Sequence, residues 1–323
     1  MTQDRNHTFV KALKALFVTA MMLLTGSNAL AQGVVVNGNV FGGGNLAEVK
    51  GSVTVNIKAG TVVNDVYGGG ALAHTNTANT TNTSDNTTKV FLLGGTINHN
   101  VYGGGLGEKD KVNGATADNP AYVNGDVKIS LNGLEKADYD AGIHGTLGVS
   151  EVDPDGDTST ENYYKVSTGG CVVKGSVFGC NNLCGTPKGK VKVHVFKTVG
   201  DGGDTYKRST DKGNTTYELT AVYGGGDMAA YEPTDATSND ETKKNNAHTE
   251  VIIEGCGDTS IGQVYGGGNA ASTPSTNVTI NGSYEIGEVF GGGNGAGTVT
   301  IDNQQKANPG ANVGFHVFQL DRL

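Results

Sequence analysis

Apolar and polar positions alternate along much of this chain, and the alternation returns at regular places. The clearest runs are Val53-Thr54-Val55-Asn56-Ile57, Val127-Lys128-Ile129-Ser130-Leu131 and Val191-Lys192-Val193-His194-Val195. Shorter versions are Val90-Phe91-Leu92-Leu93, Val251-Ile252-Ile253, Val278-Thr279-Ile280 and Val299-Thr300-Ile301. A period of two marks a strand with one face buried.

A second phrase follows many of these runs. It reads Val40-Phe41-Gly42-Gly43-Gly44-Asn45, then Val66-Tyr67-Gly68-Gly69-Gly70, Val101-Tyr102-Gly103-Gly104-Gly105 and Val222-Tyr223-Gly224-Gly225-Gly226. It returns as Val264-Tyr265-Gly266-Gly267-Gly268-Asn269 and Val289-Phe290-Gly291-Gly292-Gly293-Asn294, with a degenerate copy at Val177-Phe178-Gly179-Cys180-Asn181-Asn182. A β-branched residue followed by an aromatic suits a strand. Three glycines suit a sharp corner, because glycine reaches φ > 0 without steric cost. Each copy therefore predicts one strand and one tight corner.

The spacing turns these pieces into an architecture. Val40 to Val66 is 26 residues and Val264 to Val289 is 25, which sets the bare repeat. The alternating strand starts 13 residues before the corner valine at Val53 and Val251, and 11 before it at Val90 and Val278. Self-similarity at such a period signals a solenoid, propeller or array. The expected fold is all-β: a right-handed parallel β-helix of about seven to eight coils, with a β-sandwich or propeller array as the alternative. Valine over valine and aromatic over aromatic would form ladders. The longer intervals predict loop insertions near 71–89, 106–126, 133–170, 200–216 and 228–247, and insertions on a solenoid face often bind. Val317-Phe318 reads as the start of an eighth corner, with Gln319 in place of its first glycine. An uncapped coil at that end would be prone to self-association.

The first 31 residues break the pattern. Arg5, Lys11 and Lys14 precede an apolar run from Ala15 to Leu24, and Ala29-Leu30-Ala31 is a small-residue cleavage site. This predicts a cleaved signal peptide at 1–31 and a mature repeat domain at 32–323. The protein is expected to be exported, either secreted or held at the outer-membrane surface.

Composition narrows the function. The chain has 52 glycines among 323 residues, 6 prolines and no tryptophan, which suits turn-rich β structure without a collagen period. Removing residues 1–31 leaves 20 Lys+Arg against 31 Asp+Glu, or −11, from 23 − 3 and 32 − 1. Arg208 and Arg322 are then the remaining arginines. Nucleic acid needs basic contacts to phosphates and is not an expected partner.

The candidate chemistry is sparse. Cys171, Cys180, Cys184 and Cys256 are an even set in an exported chain, so Cys180 with Cys184 and Cys171 with Cys256 are disulfide candidates, alongside free thiols or a metal site. Cys180 replaces a corner glycine and is not expected to fill a core. Asp153, Asp155 and Asp157 alternate as a calcium loop begins, but Tyr164 stands where the last ligand belongs, so a solvated acidic turn competes with a calcium site. No other cofactor is expected. His144, Asp201 and Asp204 are the residues a polysaccharide-degrading β-helix would use.

The tandem Val-[Tyr/Phe]-Gly-Gly-Gly-Asn phrases, with the signal segment ending Ala29-Leu30-Ala31-Gln32, resemble those of exported adhesin-like repeat proteins of gut and oral Bacteroidetes. The resemblance covers nearly all of residues 33–318. It implies a parallel β-helix displayed at the cell surface, without catalysis, binding a host or bacterial surface glycan or protein. That family usually carries a C-terminal anchoring or sorting region, which this chain is expected to lack. A polysaccharide-degrading enzyme and a self-assembling filament subunit are the alternatives.

Overall fold

In the computed structural model, residues 33–78, 87–110, 112–153, 162–210, 216–237, 247–296, 298–301, 304–307 and 313–320 are described. The expected signal peptide at 1–31 lies outside them, as do Asp155 and Asp157. The chain is all-β, with 37% strand against 3% helix.

Seven short strands line up in chain order as one parallel sheet: Val40–Phe41, Val66–Tyr67, Val101–Tyr102, Ser176–Phe178, Leu219–Tyr223, Ser260–Tyr265 and Glu285–Phe290. Their register pairs Val40, Val66, Val101, Val177, Val222, Val264 and Val289 in one row. The next row is Phe41, Tyr67, Tyr102, Phe178, Tyr223, Tyr265 and Phe290. This is the corner sheet.

A second seven-stranded parallel sheet holds the longer strands Val53–Ile57, Thr88–Leu92, Val127–Leu131, Val191–Val195, Thr249–Ile253, Thr273–Ile280 and Val313–Leu320. A third, four-stranded parallel sheet takes Val35–Val36, Thr61–Val62, Gly95–Ile97 and Cys171–Val173. The corner valines meet Val55, Val90, Ile129, Val193, Val251 and Val278 of the long strands in one apolar core. Each fully buried Val, Leu or Ile contributes about 1.5–3 kcal/mol of transfer free energy. Isolated bridges link Val49, Thr75, Val123 and Pro187 in a further parallel column.

The aromatic row is a continuous stack. Successive ring centroids from Phe41 to Phe290 are 4.7, 4.9, 4.9, 4.6, 4.8 and 4.9 Å apart, with planes within 12°. The strand spacing of about 4.8 Å sets that interval. Side-chain amides and carboxylates follow the same period. Asn39 Oδ1 accepts from the Asp65 amide, Asp65 Oδ1 from the Asn100 amide and Asn100 Oδ1 from the Ser176 amide. Beyond the corners, Asn294 donates to Asn269 at 2.8 Å and Asn269 to Asp227 at 2.7 Å.

Several sequence expectations change here. The triple glycines do not take φ > 0: the left-handed glycines lie elsewhere, at Gly60, Gly95 and Gly107 among others. Nor do they end the ladder. Gly42 N donates to Tyr67 O, Gly68 N to Tyr102 O and Gly103 N to Phe178 O, and the second glycines continue with Gly43 N to Gly69 O and Gly69 N to Gly104 O. Glycine is required by close approach instead. A Cβ on Gly42, Gly68, Gly103, Gly179, Gly224 or Gly266 would run into the carbonyl oxygen of the corresponding glycine in the next strand. Behind each lies a core side chain of the long-strand sheet, such as Val53 at Gly42 and Val127 at Gly103.

Cys180, at a middle-glycine position, does fill a core: it is fully buried with Val123, Val127, Val191 and Tyr231. Val317-Phe318 opens no corner, because Val313–Leu320 pairs with Thr273–Ile280 in the long-strand sheet. Gln319 explains this, since the first corner position has no room for a Cβ. Thr298–Ile301 pairs antiparallel with Gln304–Ala307 rather than joining the long strands. The segment 71–89 is not wholly an excursion: Ala71, Ala73, Thr75 and Asn76 are buried, and Thr75 belongs to the further column. The described residues of 133–170 are folded too. Gly133–Glu135, Tyr163–Val166 and Val149–Val152 form a three-stranded antiparallel sheet, with a short helix at Lys136–Asp140.

Candidate functional site

Among the described residues, a large cluster of charge lies where this folded insertion meets the long-strand sheet. Register stacks Lys89 beside Lys128 and Lys128 beside Lys192 on successive strands. Like charges on adjacent strands repel, and the insertion supplies the counter-charge. Asp138 receives Lys89 at 2.9 Å through Oδ1, and its Oδ2 receives Lys128. Glu135 receives Lys128 through Oε2 and Lys192 at 3.0 Å through Oε1. Beside the charges, Phe91 and Leu93 are buried against Leu134 and Val166 of the insertion, with Tyr139, Ile143 and Leu147 packed on them.

His194 closes the network. Its Nδ1 is 3.2 Å from Glu135 Oε1 and its Nε2 is 3.3 Å from Glu254 Oε1. Its ring stacks on Phe196 at 3.8 Å, with Tyr163 at 6.4 Å edge-on. Asn281 Nδ2 donates to the same Glu254 oxygen at 2.8 Å. Burial opposes ionisation of Glu135, but the hydrogen bond from His194 and the charges of Lys128 and Lys192 outweigh it and hold the carboxyl well below its ordinary range. Burial likewise works against charge on Lys192, and Glu135 and Glu250 overcome it, raising its pKa. Chemically, the cluster brings the Lys128 ammonium into direct contact with two carboxylates, the enclosed Asp138 and the partly exposed Glu135.

A second feature is open. A shallow groove of about 340 Å³ on the corner sheet is lined by Tyr217, Thr220, Gly262, Gln263, Gly287 and Glu288. Tyr217 lies across Gly262 and Gly287, where a Cβ would strike its ring or hydroxyl. Gln263 Nε2 donates to Glu288 Oε2 at 2.8 Å along the same surface. An aromatic ring beside an amide–carboxylate pair presents an apolar platform with polar edges.

The residues singled out from the sequence separate. All four cysteines are free thiols, so neither expected bridge is made. Cys171 and Cys180 are buried, Cys184 is half-buried and Cys256 is exposed. Burial pushes the Cys171 thiol up to about 12 and raises that of Cys180 well above its ordinary value. Of the calcium candidates only Asp153 is described, and it has partners of its own. Among the described residues no group of three or more His, Cys, Asp or Glu is placed to hold a metal. His144 stacks on Tyr139 at 4.5 Å, Asp201 pairs with Lys174 at 3.1 Å, and Asp204 pairs with Lys207 at 2.6 Å. Each thus answers to a different partner. No helix among the described residues is long and apolar enough to cross a membrane.

Sequence reasoning missed Glu135, Asp138, His194 and Glu254. The available signal was the lysine at the second position of three alternating strands, which needed a counter-charge. Comparison with protein-family models, curated proteins and solved structures finds no match.

Proposed function

We propose that this chain is an exported, non-enzymatic scaffold. A cleaved N-terminal targeting segment precedes a right-handed parallel β-helix, and the mature protein acts at the cell surface or outside the cell. It binds a glycan or protein partner through surfaces that the repeats hold out, as adhesin-like proteins do. The observation that carries this reading is the register: seven equivalent phrases, separated by 25 to 76 residues of sequence, pair valine on valine and ring on ring. Stacked coils of this kind give a rigid frame that tolerates insertions. The acidic balance and the apolar run before Ala29-Leu30-Ala31 support export and argue for an uncharged or basic partner. The Tyr217 groove is the surface best suited to contact a sugar ring. The described part of the insertion 133–170 contributes a folded face rather than a free loop.

An array of host-matrix proteins and glycans, read alongside release of reducing sugar, tests this. Binding without turnover is expected. Sugar release would overturn the scaffold reading in favour of a β-helical polysaccharide-degrading enzyme.

A further inference from the structure

Lys128 is the least exposed lysine of its row, and both of its carboxylate partners come from the insertion, whereas Lys192 meets one there, Glu135, and one on a neighbouring strand of the sheet, Glu250. Its Nζ touches two carboxylates at once, Asp138 through Oδ2 and Glu135 through Oε2. Its side chain is 14% exposed and that of Asp138 is 3%, whereas the Lys89 side chain, on the other Asp138 oxygen, is 34% exposed. The lysine comes from the long strand Val127–Leu131, and both acids come from the insertion that packs on it. Phe91, Leu93, Leu134 and Val166 pack dry along the same junction.

We propose that Lys128 and Asp138 join in an intramolecular isopeptide bond, a self-modification that staples the insertion to the sheet. The Lys128 nitrogen attacks the Asp138 side-chain carbon. An N–Cγ bond forms and the Cγ–Oδ2 bond breaks. The ammonium carries three hydrogens: one stays on the amide, and two leave with Oδ2 as water. The two protons pass from the nitrogen to Oδ2, which it already touches, and Glu135 on the other side of the nitrogen holds it against Asp138. Nothing is oxidised or reduced, and no co-reactant is needed.

Three physical arguments support the bond. Groups fixed in contact react as though present at effective molarities of about 10⁵–10⁸ M. Condensation replaces a buried ammonium and a buried carboxylate with one neutral amide, which removes the desolvation penalty of both ions. The rest of the network survives intact. Asp138 Oδ1 becomes the amide oxygen and still receives Lys89, while Glu135 keeps Lys192 and His194. Three lysines and two acids sum to +1 before the reaction, and two lysines and one acid sum to +1 after it. Lys128 is the nucleophile because its second contact, with Glu135, fixes it against Asp138, a constraint that the more exposed Lys89 lacks.

Mass spectrometry of the purified mature chain decides the matter, with its N-terminus sequenced first. The expected result has two parts. The denatured chain weighs one water less than its sequence, and a tryptic digest contains a branched peptide joining the Lys128 segment to the Asp138 segment. Lys128→Arg keeps the charge and should restore the full mass, and Glu135→Gln should slow or abolish the loss. The proposal is overturned by the full sequence mass with two separate peptides. A water loss without the branched peptide overturns it as well, and so does a bond at Lys89–Asp138 or Lys128–Glu135.

Discussion

At the first corner position an α-hydrogen fits and a methyl group does not. Gly68 faces the Gly103 carbonyl on one side and the side chains of Val90 and Thr88 on the other. Gly68→Ala should destabilise the chain by about 1–3 kcal/mol or more, through overpacking and a displaced ladder. Gly51→Ala is the control: nothing lies within 4 Å of its Cβ, and its φ is not left-handed. That change should be neutral or stabilise by about 0.4–1 kcal/mol, by restricting the unfolded chain. Urea unfolding of the two variants measures both. Asn132 makes the opposite demand. It holds φ 58° and is buried, and its amide donates to Cys171 O at 3.0 Å and Lys197 O at 3.2 Å while Oδ1 accepts from Cys171 N. Asn132→Ala should cost about 2–4 kcal/mol, because it strips the bonds and strains the backbone together. Asn132→Gly should cost roughly 1 kcal/mol less, because glycine accepts the backbone angle. The thiols give a further check at this scale. In the native protein a thiol reagent should modify Cys256 first and Cys184 slowly, and reach Cys171 and Cys180 only on unfolding.

The elements were unequally legible. The corner phrases and the alternating strands are explicit in the sequence because both pack against copies of themselves. The pattern repeats wherever the environment repeats. The reason for the glycines was not legible, since a left-handed turn and a close approach both select glycine, and the sequence offers no way to separate them. Cys180 misled for a related reason: the cavity that accepts it is built by Val123, Val191 and Tyr231 from distant parts of the chain. The fold of 133–170 was hidden because its partners, Lys89, Lys128 and Lys192, lie on three different strands. That docking has a pH signature. The folded-state pKa of Glu135 is depressed, so its contribution is fully present above the ordinary value of 4.5 and is lost as pH falls below it. Limited proteolysis should therefore find the insertion increasingly exposed as pH drops below about 4.5. In Glu135→Gln the profile should flatten across that window.

Across the whole molecule, stability belongs to ladders rather than to single contacts. Seven valines, seven rings and the glycine backbone behind them repeat on each strand of the corner sheet, so each strand supports its neighbours. The loops and the insertion can vary without disturbing that frame, which is the property a display scaffold needs. The central claim is that pairing runs straight through the triple glycines. Hydrogen exchange at their amides tests it most directly. Gly42, Gly68, Gly103, Gly179, Gly224 and Gly266 each donate to the strand beside them, so their amides should exchange as slowly as those of Val66 and Val101. Fast exchange at these glycines, with protection confined to the Val-aromatic pairs, would mean that they are ordinary solvent-exposed turns, and would contradict the stacked architecture described above.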